Sequence, residues 1–152
     1  MKIVFNERMS GTIYFKEEGI WQAEFVITAV SDAKEFAFLK GKFPFEIKGD
    51  LRMNCVKGCC KVTAPLQGYL TIDVLNCKLI YEFVYEYCRG VYSFKGEKDV
   101  KFGSINQYLE TMTYLPGHIF DSVSGKEVAD AEFYFNLKKD LISLMTSFRV
   151  RF

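Results

Sequence analysis

The chain has 152 residues, enough for one domain with a single core. Apolar residues make up 49% and charged residues 26%, which excludes a disordered chain. Lys and Arg number 20 against 19 Asp and Glu, a formal charge of +1, which argues against nucleic acid as a main partner because phosphate binding needs a clear cationic excess.

The aromatic content is 16%, with 15 Phe and 9 Tyr, and favours strands. At the N-terminus, Met1 to Arg8 carries an apolar run too short for a signal-peptide core, with charge following at once. No stretch approaches the ~18 apolar residues that cross a bilayer. Together these predict a soluble, cytoplasmic protein with no membrane span.

A turn at Lys16-Glu17-Glu18-Gly19 leads into the first clear period-two segment. Trp21, Ala23, Phe25 and Ile27 face one way there, and Gln22, Glu24 and Thr28 the other. A helix is predicted next: Asp32-x-x-Glu35 reads as a capping box, Phe36 and Leu39 supply an apolar face, and Gly41 ends it. Phe45, Ile47, Gly49, Leu51 and Met53 then alternate with Glu46, Lys48, Asp50 and Arg52, one dry face and one wet, as in an antiparallel sheet.

Leu70, Ile72 and Val74 alternate with Thr71 and Asp73, and after Asn76-Cys77-Lys78 the row Leu79, Tyr81, Phe83, Tyr85, Tyr87 forms one face of a further strand. Tyr92 and Phe94 continue it past Arg89-Gly90. The turns at Gly19, Gly90 and Gly125 each offer a glycine able to take positive φ. Thr111 to Phe120 reads as a strand in which Pro116 removes a ladder donor, so it belongs at an edge or carries a bulge at that proline. Ala129, Ala131, Phe133, Phe135 and Leu137 form a last dry face. A second helix is predicted from Lys138 to Ser147, its stripe being Leu141, Leu144, Met145 and Phe148.

The fold expected is a single mainly β domain over residues 1–152. Eight to nine antiparallel strands form a barrel or a two-layer sandwich, with one helix after strand two and one at the C-terminus. Ala23-Glu24-Phe25 recurs as Ala131-Glu132-Phe133, a faint internal echo that suggests two related hairpin–helix units.

Several chemistries lack their residues. His118 is the single histidine and has no nucleophile elbow to serve, so it reads as structural. No dinucleotide or phosphate-loop fingerprint occurs. Among Cys55, Cys59, Cys60, Cys77 and Cys88 the one cluster is Cys55-x3-Cys59-Cys60, whose adjacent pair would point to opposite faces of a strand. Buried or loop thiols are the reading preferred to a metal site. Glu82 and Glu86 lie about 13 Å apart along a strand, too far for a glycosidase pair. No catalytic residue, metal or cofactor is assigned. An enzyme would need Glu82, Asp73, His118 or a thiolate to converge in one cleft.

Short elements in order along the chain resemble a companion region of bacterial cholesterol-oxidase-like GMC flavoproteins. They are Phe5-x-Glu7-x-Met9-x-Gly11, Gly68-Tyr69-Leu70, Tyr81-Glu82-Phe83, Phe94-Lys95-Gly96-Glu97-Lys98 and Thr146-Ser147-Phe148-Arg149. The resemblance implies an accessory, non-flavin module, since the flavin-binding residues of those proteins lie in another domain. Within the opening element, Gly11 is expected to permit close strand approach, Met9 to fill the core, and Glu7 to bond backbone or a cation such as Arg149. The aromatic rows and this context point to a non-catalytic module for a lipid-like or sterol-like apolar small molecule, with Tyr81, Phe83, Tyr85, Tyr92 and Phe94 as ligand-binding candidates. The alternative is an interaction domain that docks on an oxidoreductase or self-associates.

Overall fold

The computed structural model describes residues 2–32, 41–55, 61–73, 75–99, 114–135 and 149–151. Among these residues nine strands occur: β1 (Lys2–Phe15), β2 (Gly19–Asp32), β3 (Lys42–Cys55), β4 (Lys61–Asp73), β5 (Lys78–Tyr87), β6 (Gly90–Asp99), β7 (Tyr114–Asp121), β8 (Glu127–Tyr134) and β9 (Arg149–Arg151). They follow one another in a single antiparallel sheet from β2 to β8, and β1 pairs with both β8 and β2. The sheet therefore closes on itself as an eight-stranded barrel, which settles the choice between barrel and sandwich and leaves those eight strands without an open edge. The two predicted helices fall outside the described residues. No helix among the described residues is long and apolar enough to cross a membrane.

Alternation places the side chains as expected. Trp21, Ala23, Phe25 and Ile27 are buried, as are Phe45, Ile47, Leu51 and Met53, and Leu79, Tyr81, Phe83 and Tyr85. Phe25, Phe83, Phe94 and Phe133 meet inside the barrel, with Phe25–Phe133 ring centroids 4.8 Å apart and Phe83–Phe94 stacked at 4.8 Å. The two halves of the sequence echo are thus β2 and β8, the neighbours of β1, and their phenylalanines touch. Inward glycines let the strands bend sharply. A Cβ on Gly11 would lie 1.7 Å from the Glu132 carbonyl oxygen, and one on Gly49 would lie 1.8 Å from that of Val26. Gly11, against the Glu132 carbonyl, and the fully buried Met9 take the parts expected of them in the opening element.

Two local expectations need correction. The turn between β5 and β6 takes its positive φ at Cys88 (47°) and Arg89 (63°), and Gly90 instead pairs with Tyr87. Two central residues with positive φ give the tight twist that suits a two-residue hairpin. Pro116 lies within β7, which has neighbours on both sides. The β6–β7 register ends at Gly96↔Gly117, so Pro116 stands just past its last pair, and the bulge falls between Ile119 and Phe120.

Candidate functional site

The inward phase of three strands brings together three polar groups. On β1, Phe5, Glu7 and Met9 point inward; on β5, Leu79, Tyr81 and Phe83; on β6, Phe94, Gly96 and Lys98. β1 and β5 lie four strands apart in an eight-stranded barrel, so they form opposite walls. The Tyr81 hydroxyl reaches across and donates to Glu7 Oε1 at 2.6 Å. Lys98 Nζ stands 3.7 Å from Glu7 Oε2 and 5.1 Å from the centre of the Tyr81 ring. The Lys98 side chain has no exposed surface and that of Glu7 is 3% exposed.

The ammonium is the unusual member. At 3.7 Å it forms an ion pair with Glu7 but no hydrogen bond, and its nitrogen has no hydrogen-bond partner among the described residues. Burial lowers its pKa from the ordinary 10.5, and the nearby Glu7 carboxylate opposes that shift only in part. Taking a charge out of water costs several kcal/mol, on the order recovered only when its hydrogen bonds are satisfied. Lys98 therefore sits in the barrel with unused donor capacity beside a carboxylate already held by Tyr81. Glu7 does find a cation, but its partner is Lys98, from the sixth strand, and not the Arg149 suggested by the sequence.

The five aromatic candidates divide among three places. Tyr81 belongs to the polar group. Phe83 and Phe94 stack in the phenylalanine cluster beside it. Tyr85 and Tyr92 stack at 5.7 Å nearer the opposite end, where burial pushes the Tyr85 phenol well above its usual range. Half-buried Tyr92 lines an open depression of about 290 Å³ at that end, with Phe15, Tyr87, Lys16 and Lys126. Trp21 packs edge-on to Phe15 and Tyr87 there, and its buried Nε1 has no hydrogen-bond partner among the described residues. Cys77 and Cys88 are exposed on turns, and Cys59 and Cys60 lie outside the described residues.

The residues considered for an enzyme are dispersed. Glu82 is exposed on the outer wall, and Asp73 accepts hydrogen bonds from Asn76 in a turn. His118 lies on the outside of β7, opposite Asp130 of β8. Its Nδ1 lies 2.6 Å from Glu127 Oε1 and 2.8 Å from Asp130 Oδ1, and these contacts raise the imidazole pKa above 6.5, Asp130 contributing most. The three groups have ligand atoms within 4.8 Å of one another and the donor types of a cation site. Both carboxylates share the single Nδ1 proton, and because all three groups are accessible to solvent, water can serve their remaining donor and acceptor positions.

Sequence reading alone did not single out Lys98. The signal was present in the period: Phe94-x-Gly96-x-Lys98 puts the lysine in phase with the core-facing phenylalanine, as Phe5-x-Glu7-x-Met9 does for the glutamate. No family model matches the sequence, and no curated protein matches it.

Proposed function

We propose that the barrel is a non-catalytic binding module for a small apolar molecule bearing a neutral carbonyl oxygen. Lys98, Glu7 and Tyr81 form the polar anchor. The observation that carries this reading is the fully buried Lys98 ammonium with no hydrogen-bond acceptor among the described residues. A polar group in an apolar interior binds whatever supplies its missing partner. Charge narrows the choice. Lys98 and Glu7 already neutralise each other, so an added carboxylate would bring an uncompensated charge into a dry interior, whereas a neutral acceptor would not. The aromatic residues along the same interior suit an apolar body, and the resemblance to a companion region of sterol-type oxidoreductases agrees with an accessory role.

The test compares methyl decanoate, decanoate and decane as ligands by calorimetry. The ester is expected to bind about tenfold or more tighter than the other two, the increment of one hydrogen bond from a charged donor. Lys98→Met removes the preference, and the outer-wall change Lys95→Met keeps it. Equal affinity for ester and hydrocarbon contradicts the reading.

A second reading, docking on an oxidoreductase or on another copy, draws on a different surface. Tyr14, Tyr114 and Tyr134 are 41%, 40% and 49% exposed on adjoining strands β1, β7 and β8, with Glu132 hydrogen-bonded to Tyr114 at 3.3 Å. Exposed tyrosines of this kind favour protein contacts. Sedimentation over a range of concentrations tests self-association: a dimer dispersed by Tyr114→Lys supports it, and a monomer throughout removes that form of it.

A further inference from the structure

Among the described residues Lys98 Nζ has no hydrogen bond, and its ionic neighbour there, Glu7 Oε2, stands 3.7 Å away. The other oxygen of Glu7 is held by the Tyr81 hydroxyl at 2.6 Å, so the carboxylate is fixed with one oxygen turned to the amine. An exposed lysine differs in each respect. Lys78 bonds Glu97 at 2.9 Å and is 40% exposed, and that hydrogen bond raises its pKa. Its nitrogen is hydrated and protonated, which suppresses nucleophilic attack.

We propose that Lys98 is a nucleophilic amine that forms an imine with an apolar aldehyde or ketone held in the barrel. Glu7 serves as its proton carrier and counter-ion. The proposal deepens the binding reading above and rests on it. Glu7 first takes one proton from the Lys98 ammonium, and the neutral amine attacks the carbonyl carbon: a C–N bond forms, the C=O π bond breaks, and a second nitrogen proton passes to the oxygen to give a hydroxyl. Glu7 then gives its proton to that hydroxyl, the C–O bond breaks, water leaves, and the last nitrogen proton stays on the imine. Atoms and charge balance with no outside oxidant or reductant: one carbonyl and one ammonium–carboxylate pair give one protonated imine, one carboxylate and one water. Once formed, the protonated imine keeps Glu7 as its counter-ion and the Tyr81 ring as a favourable neighbour for its charge. Burial assists twice, by favouring the unprotonated amine and by keeping bulk water from hydrolysing the product.

The experiment treats the intact protein with decanal and cyanoborohydride, digests it, and maps modified lysines by mass spectrometry. Reduction converts an imine to a stable secondary amine, so each adduct reports the residue that formed it. Lys98 is expected to be labelled on the order of tenfold faster than Lys78. That ratio is read on the unmodified sequence and does not depend on whether a variant folds. Lys98→Arg, which keeps the charge and cannot form the imine, is expected to lose the adduct while surface labelling is unchanged. Labelling of Lys98 no faster than Lys78 overturns the proposal. If methyl decanoate binds as described above and Lys98 stays unlabelled, the imine falls and the binding reading stands. If the ester fails to bind with preference, both fall.

Discussion

Lys98 and His118 are both basic side chains facing carboxylates, one inside the barrel and one outside. Outside, His118 touches two carboxylates at 2.6 and 2.8 Å yet remains 57% exposed. Inside, Lys98 faces one carboxylate at 3.7 Å with no exposed surface. Distance alone would rank the outer cluster as the stronger. Solvent reverses the order: water and salt screen the exposed contacts, while burial makes every loss of compensation around Lys98 expensive. The two sites also differ in completeness. The outer groups are open to water, which can complete their hydrogen bonds, whereas the buried inner amine keeps unused donors, which is why the functional reading attaches to the inner one.

Breaking one half of the inner pair should give the largest effect. Glu7→Leu leaves the Lys98 charge uncompensated and should cost about 3–5 kcal/mol in urea unfolding. A loss below about 1 kcal/mol, the range of exposed pairs, would mean that water reaches the site. Tyr81→Phe comes next. It removes a hydrogen bond to a charged acceptor and should cost about 1.5–3 kcal/mol. Replacing both charges sharpens the point. Glu7→Gln with Lys98→Met keeps an acceptor for the Tyr81 hydroxyl and should be neutral or more stable than the parent by about 1–4 kcal/mol. A double variant as damaged as Glu7→Leu would show that the ion pair itself holds the barrel together.

The outer cluster should yield the smallest change. Asp130→Asn is expected to cost about 1 kcal/mol or less. Its clearer effect is on titration. The His118 pKa lies above 6.5 because Asp130 and Glu127 stabilise the imidazolium. The stability this adds is fully present below 6.5 and is lost as pH rises through the folded pKa. With a single histidine in the chain, its NMR titration needs no assignment, and Asp130→Asn should move the midpoint down.

Much of the barrel was legible in the sequence because alternation is a local property. The inward rows on β2, β3, β5 and β8 follow from residue type alone. Closure was not legible, since it depends on β1, already joined to β2 as a hairpin, also pairing with β8 from Ser10 to Phe15, a contact remote in sequence. β1 itself was hard to see because its inward row, Ile3, Phe5, Glu7, Met9, Gly11 and Ile13, is interrupted by a charge and a glycine. Those interruptions are the informative positions: Glu7 joins the polar group, and Gly11 admits the Glu132 carbonyl. Lys98 was hidden by the usual assignment of a lysine to the wet face. The His118 cluster was hidden because only the β7–β8 register places His118 opposite Asp130.

The central claim is that Lys98 is a dry amine, opposed by Glu7 and capped by Tyr81, with donors to spare. The ordinary lysine pKa is 10.5, and burial lowers that of Lys98. Between the lowered value and 10.5 the unfolded chain binds more protons than the folded one, so this residue makes stability rise with pH across that window. The direct measurement is an NMR titration of the Lys98 side-chain nitrogen, identified by its disappearance in Lys98→Met. A midpoint below 10.5 is predicted, and a midpoint at or above 10.5, like that of a hydrated surface lysine, would contradict the account.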